Sequence, residues 1–507
     1  MLFEQAYALL LLLLGIIFTS DLATGSFLPF GVEPSAGCES CKSSLSFSNP
    51  KSNDFLVGNE IPGLPFKTKT SWSGNIPIPD TDSVKNGTLS FWLWGKDDHE
   101  PGKDLVIWMS GGPGCSSLLA SSIENGPFLF DSANGTLSTN KYSWTLAANM
   151  FYLTQPVGAT FTTFSSSNIT NEDQVSQHLV LFLKQFFNIF EELRSTNIWL
   201  IGESYDGQMM PFAFNAIKRN PPTGKASSLK GGMLISPFFS DLTAQLATAA
   251  YPFAVEHQRQ LNFSDKQLAS LKNQSDTCQL TDFISKYMSF PPKGRLPNPS
   301  TNCQVFETYT ETYTDNDPNY NIYNVNKPKD LGYNSVVQAF FNRTDVQDYI
   351  RAPHQDFKLC RSVFQQNNLS ISGDLSGPSD RTPSFEHSLF AQMVEGSKRF
   401  IVMSGALDGL IFASGVQLVL QNLTWNGEQG FNAPLHVPLY DLEGKQRAIA
   451  TKSERHLRYV LVPDAGHILP ADQPSFALNA LFALLGRPYW KKEKCWSQED
   501  LHHGKTI

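Results

Sequence analysis

The sequence predicts an α/β fold with a mostly parallel central sheet, interrupted by a helical insertion. Two observations carry this. Between about residues 89 and 235, short apolar runs alternate with longer stretches of helical periodicity, the rhythm of parallel βαβ units. That rhythm stops near Asp241 and resumes at Phe400.

Each element follows from its residues. Residues 26–75 are rich in Ser, Pro, Gly and Asn, which predicts an arm with little regular structure. Residues 89–94 read as a strand. Residues 105–109 read as a buried strand feeding a tight loop at Gly111, Gly112, Pro113 and Gly114. Another short strand is expected at 149–153. A long helix is expected over 172–193, because Val175, Leu179, Phe182, Phe186, Ile189, Phe190 and Leu193 recur mostly at spacings of three and four, with Asn171 as N-cap. A strand at 198–201 leads through Gly202 into a helix ending near Lys218, and 232–235 is a further strand. Residues 242–395 are polar and mixed, with helical stretches and Pro-rich turns such as Phe290-Pro291-Pro292. Strands at 400–404 and 459–462 and a helix over 474–485 complete the pattern. The predicted division is 1–25 leader, 26–240 and 396–507 the two parts of the core, and 241–395 the insertion or cap.

Composition bounds the function. A chain of 507 residues, 41% apolar and 17% charged, is globular rather than disordered. The net charge of −8, with Lys and Arg scattered, argues against a nucleic-acid surface. Residues 6–18 form an apolar run too short to span a bilayer, followed by Ala23 and Gly25; this predicts a signal peptide cleaved after Gly25. Its n-region carries Glu4 and no basic residue, so an anchor helix that stays attached is the alternative. Cleavage would leave no membrane segment in the mature form. Acceptor triplets for N-glycosylation occur at Asn86, Asn134, Asn168, Asn262, Asn273, Asn342, Asn368 and Asn422. Of seven cysteines, most should pair in an oxidising compartment, and the odd count leaves one over unless it bonds another chain. Cys38-x-x-Cys41 lacks a second Cys or His pair at zinc spacing and reads as a disulfide or a loose pair. These features predict a secreted protein, extracellular or delivered to a vacuole through the secretory pathway.

The chemistry is concentrated in four segments. Ile201-Gly202-Glu203-Ser204-Tyr205-Asp206-Gly207 lies between a predicted strand and a predicted helix, the context of a nucleophile elbow. A serine hydroxyl is a weak nucleophile and needs a base, which in turn needs an orienting acid. Asp408 and His467 each follow a predicted strand, in the order Ser, acid, His of an α/β hydrolase. The loop from Trp108 to Ser117, with Gly111, Gly112 and Gly114, suits an oxyanion hole, whose other donor is usually the residue after the nucleophile, here Tyr205. The expected fold is therefore an α/β-hydrolase fold.

These segments resemble the serine carboxypeptidases. The loop resembles W-L-N-G-G-P-G-C-S-S, the elbow G-E-S-Y-A-G, and Ala465 to Pro474 the family's A-G-H-x-x-P-x-D-Q-P. Tyr142-Ser143-Trp144, Ala148-Asn149 and Gln155-Pro156-Val157-Gly158 resemble Y-S-W…A-N…D-Q-P-V-G. The likeness runs from about Ser71 to Leu485. It implies a triad of Ser204, Asp408 and His467, with oxyanion N–H groups from Gly112 and Tyr205. It also implies that Trp108, Ser110, Gly111, Glu124 and Glu203 surround the substrate's C-terminal carboxylate, and that Cys115 pairs with Cys360 and Cys278 with Cys303. Clustered carboxyls raise one another's pKa, which favours work at acid pH.

The chain departs from the family at Ser110 (an Asn there), Asp206 (a small residue), Thr154 (an Asp) and Ser236-Pro237 (Gly-Asn). The resemblance implies a carboxypeptidase acting on peptides through an acyl-enzyme, with no metal or cofactor. Two alternatives stay open: an acyltransferase or esterase on the same scaffold, since acyl-transferring members also alter the loop Asn, and a binding homologue without turnover, with Asp206 blocking the elbow. Oligomeric state is not legible in the sequence.

Overall fold

The computed structural model describes residues 44–97, 102–131, 135–225, 228–240, 242–297, 299, 303–317, 319–328, 331–364 and 389–487. The predicted signal peptide, Cys38, Cys41, Cys495, Asn134 and Asn368 lie outside the described residues.

The centre is an eleven-stranded sheet. Its strands are β1 (Leu56–Val57), β2 (Ser71–Pro77), β3 (Thr88–Trp94), β4 (Asp104–Ser110), β5 (Asn149–Thr154), β6 (Asn197–Glu203), β7 (Leu229–Ile235), β8 (Arg399–Gly405), β9 (Val437–Tyr440), β10 (Gln446–Ala450) and β11 (Leu457–Val462). They lie in the order β1-β2-β3-β5-β4-β6-β7-β8-β11-β10-β9. The inner strands β5, β4, β6, β7, β8 and β11 are mutually parallel. Antiparallel strands extend both edges. The architecture is an α/β-hydrolase fold.

The inner strands are apolar runs because both faces are covered. Along β4, Leu105, Ile107 and Met109 enter one core and Val106 and Trp108 the other, all buried. The first core packs under α2 (Glu172–Ile189) and α3 (Asp206–Arg219), and the second takes in α1 (Ser117–Ile123).

Helix α2 starts where expected. Asn171 Oδ1 accepts the Gln174 N–H at 3.1 Å, and Glu172 and Asp173 sit in the first turn, at the positive end of the helix dipole. It ends four residues before the expected 193. Phe190 leaves helical backbone at φ −108° and ψ 62°, and a 3₁₀ turn, Glu191–Ser195, then buries Leu193. The arm is also more ordered than its composition predicts. Pro50–Phe55 is a 3₁₀ turn, and β2 pairs with β3 from Ser71 onward.

Between β7 and β8 the chain builds α4 (Thr248–Glu256), α5 (Asp265–Thr277), α6 (Phe283–Tyr287), α7 (Val305–Asn316), α8 (Leu331–Phe341), α9 (Thr344–Tyr349) and α10 (Leu389–Glu395). Two disulfides tie this stretch down. Cys278 to Cys303 joins the end of α5 to the start of α7, and Cys115 to Cys360 joins the loop after β4 to the insertion. Beside the second, Ser116 N–H bonds Leu359 O at 2.7 Å and Arg361 N–H bonds Gly114 O at 3.1 Å. A Cβ on Gly114 would lie 2.2 Å from Arg361 O, so only glycine admits this approach. After β8 come α11 (Ala413–Asn422), α12 (Leu469–Asp472) and α13 (Pro474–Leu484).

Candidate active site

Three parallel strands deliver the site at their carboxyl ends, where α/β sheets place their chemistry. Strand β6 ends at Glu203, and Ser204 follows at φ 61°, a left-handed conformation that a serine adopts only under strain. Its N–H bonds Ile235 O and its carbonyl takes the Phe238 N–H, both at 3.0 Å. The turn needs small neighbours: a Cβ on Gly207 would lie 2.3 Å from Phe238 O. Ser204 itself is part-exposed.

Strand β8 leads to Asp408, which is fully buried. Its Oδ1 accepts the N–H groups of Leu410 and Ile411, each at 2.9 Å, and its Oδ2 faces His467 Nδ1 at 2.7 Å. A carboxylate only accepts, so Nδ1 carries the proton and Nε2 presents a lone pair. His467 follows β11. Leu407 N–H bonds Ala465 O at 2.9 Å and holds the acid and histidine loops together.

The residue after β7 completes the link to the elbow. Ile235 holds the Ser204 N–H, and the next residue, Ser236, donates its hydroxyl to His467 O at 2.8 Å. Asp408, His467 and the elbow thus meet around the end of β7. Among the described residues no hydrogen bond joins Ser204 Oγ to His467 Nε2, a contact that often tightens only with substrate bound.

The loop after β4 lies directly on the elbow. A Cβ on Gly111 would fall 2.5 Å from Tyr205 N and 3.1 Å from Ser204 Cβ. Gly112, at φ 111°, is part-exposed beside it. Tyr205 is buried, and its hydroxyl donates to Glu172 Oε1 at 2.7 Å.

The carboxylate-binding residues expected from the sequence separate into two groups. Glu124, at the end of α1, and Glu203 are buried and share a hydrogen bond, so one of them holds a proton. Burial is the main cause that pushes both carboxyls up, Glu124 to about 8. The hydrogen bond to Glu203 pulls Glu124 back and the Asp472 charge raises it, while Glu124 raises Glu203 further. Ser110 is buried and stands opposite Glu203 in the sheet register. Trp108 differs from expectation. It is fully buried against Trp144, with ring centroids 5.3 Å apart, and its indole N–H donates to Ser110 Oγ at 3.0 Å. It supports Ser110 and does not itself line open space.

Asp206 also sits differently. It is fully buried on the far side of the turn, where a Cβ on Gly202 would fall 2.5 Å from Asp206 Cβ and 2.8 Å from Met210 Cε. Neither carboxyl oxygen has a hydrogen-bond partner among the described residues. Burial drives this carboxyl well above the usual range.

Of the acceptor asparagines, Asn86, Asn168, Asn262, Asn273 and Asn342 are exposed. Asn422 is a correction. It is 5% exposed, and its Oδ1 accepts the Leu296 N–H at 3.0 Å, so the folded chain has no room for a glycan there. Sequence reasoning missed Glu172 and the insertion segment that contacts the histidine loop, and it marked Ser236 only as a departure from the family, without its bond to His467 O.

A family model described as serine carboxypeptidase matches residues 62–486. A probable serine carboxypeptidase of Arthroderma benhamiae is 30% identical, over 87% of each chain. Serine-type carboxypeptidase F of Aspergillus niger is 29% identical over 87% of this chain and 88% of its own. Among solved structures, the prohormone-processing carboxypeptidase Kex1 of Saccharomyces cerevisiae superposes with a TM-score of 0.68 at 23% identity, covering 86% of this chain and 96% of that one. At that identity the likeness speaks for the fold alone.

Proposed function

The chain belongs to the serine carboxypeptidase family, a family of serine-type hydrolases, and from that premise we propose that it releases C-terminal residues from peptides through an acyl-enzyme on Ser204. His467 Nε2 takes the hydroxyl proton as Ser204 Oγ attacks the last peptide carbonyl. Asp408 orients the Nδ1–H and stabilises the imidazolium. The N–H groups of Gly112 and Tyr205 receive the oxyanion. The C–N bond breaks, His467 returns the proton to the leaving amine, and water repeats the sequence on the ester. Glu124, Glu203, Gly111 and Ser110 hold the substrate's free carboxylate. The observation that carries this reading is the 2.7 Å Asp408–His467 bond, set beside the strained Ser204 turn by the strand ends.

Peptide is the proposed partner, and no cofactor is required by these steps. A route through the secretory pathway is supported by the two disulfides, which need an oxidising compartment, and by five exposed acceptor asparagines. Among the described residues no helix is long and apolar enough to cross a membrane.

A second reading, acyl transfer or ester hydrolysis, is favoured by Ser110, which offers the substrate carboxylate one short hydroxyl where the family has an amide. Turnover of N-blocked dipeptides, compared with the corresponding amides and esters across pH, tests both. Release of free amino acid from the dipeptide supports the carboxypeptidase. Ester cleavage or acyl transfer without peptide cleavage supports the rival.

A further inference from the structure

The insertion does more than cover the site. Residues 320–327, between α7 and α8, reach back to both loops that carry the proposed acid and base. Ile322 O accepts the Gly409 N–H at 2.9 Å, and Val325 N–H donates to Leu407 O at 3.0 Å; these bonds flank Asp408. Tyr323 O accepts the His467 N–H at 2.6 Å. Asn324 Nδ2 donates to Asp472 Oδ2 at 2.8 Å, and the same oxygen accepts the Gly466 N–H at 2.7 Å. Lys327 pairs with the other Asp472 oxygen.

The segment is built to keep this shape. Asn321 Oδ1 accepts the N–H of Tyr323 at 3.0 Å, and Asn324 Oδ1 accepts that of Asn326 at 3.1 Å. Tyr320, Ile322, Asn324 and Val325 are buried. The fit is close: a Cβ on Gly466 would lie 2.1 Å from Tyr323 O. The Tyr323 ring stands 5.2 Å from the His467 ring, centroid to centroid.

We infer that residues 320–327 form a strap that fixes His467 against Asp408, with Asn324 and Asp472 as positioning residues for the base. The inference rests on the triad proposed above. Its physical content is that the two loops, joined directly by the Leu407–Ala465 bond, gain further ties on both sides of the 2.7 Å Asp408–His467 pair from a strap that bonds each of them. Removing Asn324 Nδ2 leaves Asp472 tied to the strap through Lys327, and the oxygen that holds the Gly466 N–H loses its fixed partner. A misplacement of about 1 Å at a catalytic base lowers rate about a hundred-fold.

The test uses the full chain. Asn324→Ala is the main variant, because it leaves the Asp472 charge in place near Glu124. Asp472→Ala removes the bridge altogether, and Asp472→Asn keeps an oxygen for both N–H donors. Three readings are taken: kcat and KM on a blocked dipeptide, the rate at which an organophosphonate modifies Ser204, and the low-field proton NMR signal of the His467 Nδ1–H. We expect Asn324→Ala and Asp472→Ala to lower kcat and the labelling rate about ten- to a hundred-fold, with KM little changed and the low-field signal shifted or lost. Asp472→Asn should recover most of the rate. The strap is overturned if the folded Asn324→Ala variant labels Ser204 at the wild-type rate with the signal unmoved, even where Asp472→Ala fails to fold. A wild type whose Ser204 does not label at all instead overturns the triad, and the strap with it.

Discussion

Tyr205 donates its hydroxyl to Glu172 at 2.7 Å, joining the elbow to the first residue of α2. The residue proposed to give an oxyanion N–H is therefore held at its far end by a carboxyl on another helix. Burial raises the Glu172 carboxyl.

We predict that Glu172→Ala lowers kcat about tenfold, because losing a hydrogen bond to a buried group costs about 1–3 kcal/mol and tenfold is about 1.4 kcal/mol. Glu172→Gln keeps an acceptor and should stay near wild type. Steady-state kinetics on a blocked dipeptide check this, and equal losses for Ala and Gln would count against a hydrogen-bonding role.

Asp206 contributes to the pH dependence of stability. Its folded pKa is raised above the unfolded value of about 3.9 by burial. It therefore contributes stability that is fully present below about pH 4 and is lost as pH rises toward the folded value. Asp206→Ala should remove this loss and melt later than wild type at pH 7, by about 1–3 kcal/mol, while gaining little at pH 4. Thermal melts across pH read it, and a variant less stable than wild type at both pH values would refute it.

Glu124 and Glu203 should make substrate binding acid-dependent. Both carboxyls are raised, burial being the largest cause, so the shared proton that lets them meet a substrate carboxylate is present at acid pH and lost as pH rises. We expect KM for a free-acid dipeptide to climb with pH while KM for its amide stays flat. Glu203→Gln should flatten the free-acid curve. Parallel pH curves for acid and amide in the wild type would contradict the assignment.

Ser110 accepts the Trp108 indole N–H, which leaves its own hydroxyl proton to donate. An Asn in its place offers two N–H groups, and a hydrogen bond to a charged group is worth roughly 1.5–3 kcal/mol. Ser110→Asn should raise the preference for free acid over amide about tenfold or more, read as the ratio of kcat/KM for the two. An unchanged ratio in a wild type that already discriminates strongly would assign the carboxylate to another residue.

The inner sheet was legible because strands buried on both faces must be continuous apolar runs, as at 105–109 and 232–235. Ser204, Asp408 and His467 stood out because each follows such a strand. The edges were harder. Strands β9 and β10 are short and mix exposed with buried residues, so no period marks them. The early end of α2 at Ile189 was hidden because apolar spacing continues through Leu193, which is buried by a 3₁₀ turn. The strap could not be read at all. Its bonds run through backbone atoms and asparagines to residues some eighty to a hundred and fifty positions away. Asp206 looked like a charge beside the nucleophile, and only the fold shows it packed against Gly202 and Met210, where burial raises its carboxyl.

The central claim is that Ser204 is a nucleophile activated by His467 and Asp408. Its most direct measurement is modification by an organophosphonate, followed by mass mapping of the labelled peptide. The account predicts one label per chain, on Ser204, with peptidase activity lost in proportion, no label in Ser204→Ala, and labelling slowed by orders of magnitude in His467→Ala. A label on another serine, or undiminished labelling in Ser204→Ala, would contradict it.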